Sequence, residues 1–226
     1  NSFFQGSFVK EVNDQFKTQV NAKYAFYRTH YVNNDDKLIE VDNLYKQREV
    51  YVSTANMYTI FPFWDVSMSY DFQWNEMKAD MYGFVFPTRF TNLLSIATAL
   101  RLGKVKLQGS GLATFVNDRV KEGPAPKARQ ILTPAVFLSY KPFDKHDFSL
   151  RAFYKKTFRM PTFNDLYYAD MGNSKLDPEY VTQYNLGTVY QKQWGNKLFR
   201  HFKIQADGYY NYVKDKIIAY PKGQQF

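Results

Sequence analysis

Trp64-Asp65-Val66-Ser67-Met68-Ser69-Tyr70-Asp71-Phe72-Gln73-Trp74-Asn75 alternates without a break. Trp64, Val66, Met68, Tyr70, Phe72 and Trp74 form one face, and the acids, serines and amides between them form the other. A period of two with one apolar and one polar side is the pattern of a half-buried strand. The alternation returns in Phe16, Thr18, Val20, Ala22, Tyr24 and Phe26 against Lys17, Gln19, Asn21 and Lys23. It returns again in Phe148 to Tyr154 and in Phe202 to Tyr212, whereas helical spacing is almost absent. The fold class is therefore all-β, with ten strands expected near 4–12, 16–32, 46–60, 64–75, 90–102, 104–117, 131–142, 148–158, 181–193 and 198–213.

The connections separate by length. Those at Asn13-Asp14-Gln15, Phe61-Pro62-Phe63, Gly103, Asp144-Lys145-His146 and Gly195-Asn196 are short; those at 33–45, 76–89, 118–130, 159–180 and from 214 onward are long, and the two kinds alternate. A soluble sandwich has no reason to sort its loops this way. A barrel crossing a membrane does, because its tight turns share one side and its long loops the other. The strands also exceed the five or six residues or so of an average strand and reach the roughly nine to eleven that a tilted crossing needs. Such an antiparallel up-and-down barrel satisfies every backbone group and leaves no edge.

Composition agrees. Tyr, Phe and Trp make up 19% of the 226 residues, which excludes a disordered chain, and a mean hydropathy of -0.51 leaves no apolar run long enough for a membrane-spanning helix. A strand showing lipid on one side and water on the other keeps average hydropathy low while its outer face stays apolar. Trp64 and Trp194 sit beside short turns, and Trp74 lies ten residues from Trp64 on the same face. That separation projects to roughly 25 Å along a barrel tilted by about 40°, the height between two aromatic girdles. The alternative is three ordinary core tryptophans.

Cysteine is absent, so disulfides, thiolate nucleophiles and cysteine-ligated zinc are excluded. His30, His146 and His201 lie far apart, and neither a nucleophile elbow nor a phosphate-cradling glycine loop occurs, so neither an enzyme nor a metal site nor a cofactor is expected. The net charge of +9 is spread without a basic run of five, which argues for a solvated surface over nucleic-acid binding.

One stretch carries more than alternation: Phe158-Arg159-Met160-Pro161-Thr162-Phe163-Asn164-Asp165-Leu166-Tyr167, then Gly172-Asn173 with Leu176, Pro178 and Glu179, then Tyr184-Asn185-Leu186-Gly187. Pro161 ends the incoming strand, Asn164-Asp165 favours an Asx turn, and Pro178 fixes the chain before the next strand, so an ordered long loop is expected. The order F-R-x-P-T-F-x-D-L-Y, G-N-x-x-L-x-P-E and Y-x-L-G resembles the barrel region of TonB-dependent outer-membrane receptors, notably the siderophore and cobalamin branch. Asn185 stands where that family usually has Glu.

The resemblance implies an outer-membrane receptor for energised uptake of a bulky, scarce nutrient such as a ferric siderophore, haem or cobalamin. It implies a bacterial outer membrane with its lipid and lipopolysaccharide, and an inner-membrane partner, TonB, pulling on a plug domain. No plug-like segment accompanies the strands, and a barrel of about 22 strands needs about twice as many. Residues 1–226 are therefore expected to be a partial barrel, from the middle toward the C-terminal part. Tyr82, Phe84, Phe86, Arg89, Lys121, Lys127 and Arg159 are the expected ligand contacts, the rings for a planar ligand and the cations for an anionic chelate. Two other readings stand beside this one: a passive porin, and a soluble β-rich binding or structural protein.

Overall fold

Strands with so regular an alternation satisfy their backbones only through neighbours, and the shortest connections decide which neighbours. In the computed structural model, which describes residues 1–33, 41–123, 125–167, 172–193 and 200–218, the elements run β1 (Ser2–Glu11), β2 (Phe16–Asn33), β3 (Val41–Phe61), β4 (Trp64–Ala79), β5 (Thr88–Leu102), β6 (Val105–Arg119), β7 (Arg129–Tyr140), β8 (Asp147–Arg159), α1 (Phe163–Tyr167), β9 (Glu179–Gln193) and β10 (His201–Lys214). All ten strands form one sheet in sequence order, each antiparallel to the next. β1 and β10 are its two edges, so within the described residues the sheet is open.

This topology places the connections after β2, β4, β6 and β8 at one end and those after β1, β3, β5 and β7 at the other. The short turns have local causes. Asn13 accepts hydrogen bonds at Oδ1 from the backbone N–H groups of Gln15 and Phe16, an Asx turn. Gly103 takes a φ of +56°, so the two-residue turn from Leu102 to Val105 closes without a Cβ clash. Gly195-Asn196 and Trp194 lie outside the described residues.

Register carries the two faces across the whole sheet. Met68 stands opposite Ile96 and Asn56, Tyr70 opposite Leu94 and Thr54, and Trp74 opposite Phe90 and Val50. The series extends through Gly111, Pro134 and Val136 to Ala152, Leu186 and Gly208. Ala25, Glu49, Asn75, Arg89 and Asp118 form one row of the opposite face. Among the described residues no second sheet covers the apolar side, so Met68 and Ile96 in mid-strand remain 51% and 56% exposed. That is the inverse of a sandwich, where such residues would be the core.

Burial concentrates elsewhere. Tyr45, Met77, Phe84 and Phe163 form a hydrophobic cluster, with Ala79, Met81, Phe86 and Tyr167 packed against it. These residues come from the long-loop ends of β3 and β4, from the β4–β5 loop and from α1, so the core of this chain is a roof of loops.

Candidate functional site

The roof is built from three connections: 80–87, 120–128 and 160–178. Thr162 caps α1. Its hydroxyl accepts from the Asp165 N–H at 3.1 Å, while the Asp165 carboxylate accepts from the Thr162 N–H at 2.8 Å, a reciprocal capping box. Arg159 adds a hydrogen bond from Nη2 to the same carboxylate at 2.9 Å. Burial pushes the Asp165 carboxyl up, but the Thr162 and Arg159 donors outweigh it and hold the group below its ordinary value. The expected Asx turn at Asn164-Asp165 is thus a capped helical turn. An Asx turn does form downstream, where Asn173 Oδ1 accepts from the Lys175 N–H at 3.0 Å. Pro161 and Pro178, the two ends of the loop, are fully buried, and Leu166 is buried between them in sequence.

Arg89 ties this loop to the sheet. Its Nε and Nη2 donate to the two Asp118 carboxylate oxygens, each at 2.7 Å, and Nη1 donates to the Pro161 carbonyl at 2.6 Å. The guanidinium also lies 5.2 Å from the centre of the Phe163 ring. Both partners of this bidentate pair are buried, where charge-assisted bonds gain strength and a broken pair is costly. Arg89, expected among the ligand contacts, is therefore an internal anchor whose charge Asp118 already neutralises. The Tyr167 hydroxyl lies in the same neighbourhood; burial and the Asp118 charge push it up to about 12 against the opposing Arg89.

The remaining expected contacts divide into buried and presented groups. Phe84, at 2% exposure, belongs to the cluster and meets Tyr45 edge-on, so it supports the roof from below. Phe86 is half-buried at a φ of +48°, edge-on to Phe84, with Lys121 Nζ 5.3 Å above its ring. Tyr82 is fully exposed at the tip, Lys121 and Lys127 are exposed on the 120–128 connection, and Arg159 is exposed at the end of β8. Lys121 N–H donates to the Val85 carbonyl at 2.9 Å, which locks the 120–128 connection to the 80–87 loop. The site thus presents one aromatic tip and three cations on a braced base.

The other motif residues have structural placements. Asn164, Gly172 and Asn173 are exposed, Leu176 is half-buried, and Glu179 Oε2 accepts from the Ile217 N–H at 3.0 Å. Gly187 lies between Arg151 and Asp207 in one row of the polar face, and a Cβ there would come within 2.0 Å of Asp207 Oδ1. Lacking a side chain, it lets Arg151 and Asp207 approach to 3.6 Å across an intervening strand. Asn185 shares that face, in the row next to Gly187, opposite Phe153 and Tyr209. Trp64 and Trp74 lie on the apolar face, Trp64 donating from Nε1 to Thr98 at 2.8 Å.

Tyr45, Met77 and Asp118 brace the loops, which reading for alternation missed. Asp118 was accessible in principle: counting equal steps back from Leu102 opposite Val105 across the two-residue turn brings Arg89 opposite Asp118. Among the described residues no group of three or more His, Asp or Glu is placed to hold a metal.

Comparison with known structures places this architecture. The copper transporter OprC superposes with a TM-score of 0.69 at 15% identity over 95% of this chain and 38% of its own. The FrpB iron transporter from Neisseria meningitidis (F3-3 variant) gives 0.71 at 13% identity over 98% and 37%. FpvA of P. aeruginosa, bound to a heterologous pyoverdine with iron, gives 0.56 at 14% identity over 96% and 38%. The chain therefore spans less than two-fifths of each of these proteins. A comparison with curated protein sequences gives no match. The family model described as "TonB dependent receptor-like, beta-barrel" matches residues 2–226, and with ten antiparallel strands in an up-and-down sheet the chain belongs to that family.

Proposed function

We propose that this chain is part of the barrel of a bacterial outer-membrane receptor that takes up a bulky, scarce nutrient of the ferric siderophore, haem or cobalamin class. The observation that carries this reading is the roof: a set of long loops braced by a buried Arg89–Asp118 pair that leaves Tyr82, Lys121, Lys127 and Arg159 facing solvent. A rigid base with an aromatic tip and exposed cations suits a planar, anionic ligand, since the ordering cost is met before binding.

In this reading the apolar face meets lipid, and Trp64 and Trp74 mark its two interfaces. The edges of β1 and β10 are closed by further strands of the same protein, because an open row of backbone donors does not persist in a bilayer. The polar face turns to the lumen. There a plug domain would sit, through which TonB delivers work.

The test is uptake of a labelled ferric chelate by cells carrying the complete gene product, with TonB active or deleted. Uptake that requires TonB, with the triple change Tyr82→Ala, Lys121→Ala, Lys127→Ala weakening capture at least tenfold, is the expected result. Flux that ignores TonB and responds linearly to concentration would indicate a passive pore instead.

A further inference from the structure

The ladder between β7 and β8 stops early. Its pairs run from Ala135 opposite Lys155 to Tyr140 opposite Leu150, although β7 starts at Arg129 and β8 continues to Arg159. The ladder from β7 to β6 meanwhile continues past Pro134 to Arg129. A proline whose missing N–H faces β8 accounts for both facts. Beyond Pro134 the two strands part, and a notch of about 420 Å³ opens, lined by Gln130, Leu132, Lys156, Tyr180, Tyr212 and Lys214 among others.

The notch lies at the long-loop rim of the apolar face. Four successive rows across β8, β9 and β10 lead to it: Ala152–Leu186–Gly208, Tyr154–Tyr184–Tyr210, Lys156–Thr182–Tyr212 and Phe158–Tyr180–Lys214. The tyrosines of the second row are neighbours, with ring centres 5.2 Å and 6.4 Å apart. Small and aliphatic residues give way to tyrosines and then to two rows that each hold one lysine and one tyrosine, with Phe158 in the outermost. Tyrosines and lysines are the groups that follow a hydrocarbon layer, and each row lies about 7 Å above the last. Below the tyrosine row the small side chains of Ala152, Ala206 and Gly208 leave a groove of about 870 Å³ walled by Val136 and Leu186.

The two lysines are available. Lys156 Nζ lies 5.7 Å from the centre of the Tyr180 ring and has no carboxylate within ion-pair distance among the described residues. Lys214 has Asp215 at 4.0 Å, the outer limit of an ion pair, and its side chain is 66% exposed. Two strand spacings and one row, about 12 Å together, separate their backbones, and both side chains line the notch.

We infer that notch and groove together bind one phosphate-bearing lipid from the leaflet on the long-loop side. Lys156 and Lys214 hold its phosphate, and an acyl chain lies over Ala152 and Gly208. The inference rests on the reading that the apolar face meets lipid. A notch lined by two lysines, one row from a mainly apolar groove, matches a molecule that is anionic at one end and hydrocarbon at the other.

The complete gene product in detergent, titrated with lipid A and followed by native mass spectrometry, tests this. A one-to-one adduct is expected. The double change Lys156→Gln, Lys214→Gln should weaken it about thirtyfold, the effect of two lysines at a membrane surface. Dephosphorylated lipid A should bind the unaltered protein equally poorly. Gly208→Leu, which fills the groove and leaves both lysines in place, should weaken binding as well, and millimolar inorganic phosphate should not displace the lipid. Undiminished affinity in the double variant overturns the site, displacement by inorganic phosphate makes it a free-anion site, and a protein dimer lost in that variant would assign the patch to a second copy. Flotation with phosphatidylcholine vesicles separates the two levels. If the unaltered protein fails to insert, the lipid-facing reading itself falls; if all variants insert and bind lipid A alike, only the site does.

Discussion

The long-loop end and the middle of the sheet obey different physics. At the loop end, Phe84, Phe163, Arg89 and Asp118 are removed from solvent and held by packing and a bidentate ion pair, as in the interior of a soluble protein. In mid-sheet the large apolar side chains of Met68, Ile96 and Leu186 face outward and stay more than half exposed. Hydrogen-bonded ladders hold the sheet, and no second sheet or helix among the described residues packs on its apolar face. The roof is packed from within, whereas the apolar face of the sheet is left exposed.

The comparison breaks most visibly at Arg89. Arg89→Met leaves Asp118 buried without a counter-charge and frees the Pro161 carbonyl, so the roof should lose about 3–5 kcal/mol. Limited proteolysis would then cut within 160–178 while the barrel remains intact. Adding Asp118→Asn should recover much of the loss, because the penalty is the orphaned charge. If cleavage is unchanged, the roof does not depend on this pair.

The sheet side is tested by charge at neighbouring positions. Met68→Arg puts a cation on the apolar face and should cost about 2–4 kcal/mol near the bilayer midplane, read as loss of heat-resistant assembled protein. Ser67→Arg enters the polar face beside Asp65, Ala97 and Ser110, where an open notch of about 370 Å³ has room for it, and assembly should persist. Equal losses from the two changes would erase the distinction between faces.

A smaller effect is expected at the α1 cap. Thr162→Ala removes the hydroxyl that accepts from Asp165 N–H and should cost about 1 kcal/mol, local to the loop. Acid should act on the same turn. Because the Asp165 carboxyl is held below its ordinary value near 3.8, its stabilising contribution is present above that pH and is lost as pH falls through the lower folded value. Proteolysis or hydrogen exchange of residues 160–178 should therefore rise in strong acid, and less so in Asp165→Asn, which no longer titrates.

The least change is expected at Gly187. A Cβ there displaces the Asp207 carboxylate and breaks its contact with Arg151, an exposed pair contributing about 0–1 kcal/mol. Replacing glycine within a strand returns a similar amount, so thermal stability of Gly187→Ala should stay within about 0.5 kcal/mol of the original. A loss of several kcal/mol would mean that the polar face is as tightly packed as the roof.

Most of the fold was legible because alternation is local. Trp64 to Asn75 declares its faces without reference to any other strand, and tight turns such as Leu102 to Val105 leave each strand one neighbour to pair with. Even the register of that hairpin, and with it the meeting of Arg89 and Asp118, follows from turn length. The five residues of α1 escaped, since one helical turn shows no periodicity, although the spacing of Thr162 and Asp165 is a capping box in plain view. The tertiary structure alone decided which loop residues turn inward. Tyr82 and Phe84 are both aromatic and two positions apart, yet one is fully exposed and the other is buried against Tyr45 and Phe163. The alternation of a strand is dictated by its own backbone, but the burial of a loop side chain depends on what distant segments bring to it. Here the decisive contact joins Arg89 at the start of β5 to the carbonyl of Pro161, which no local pattern records.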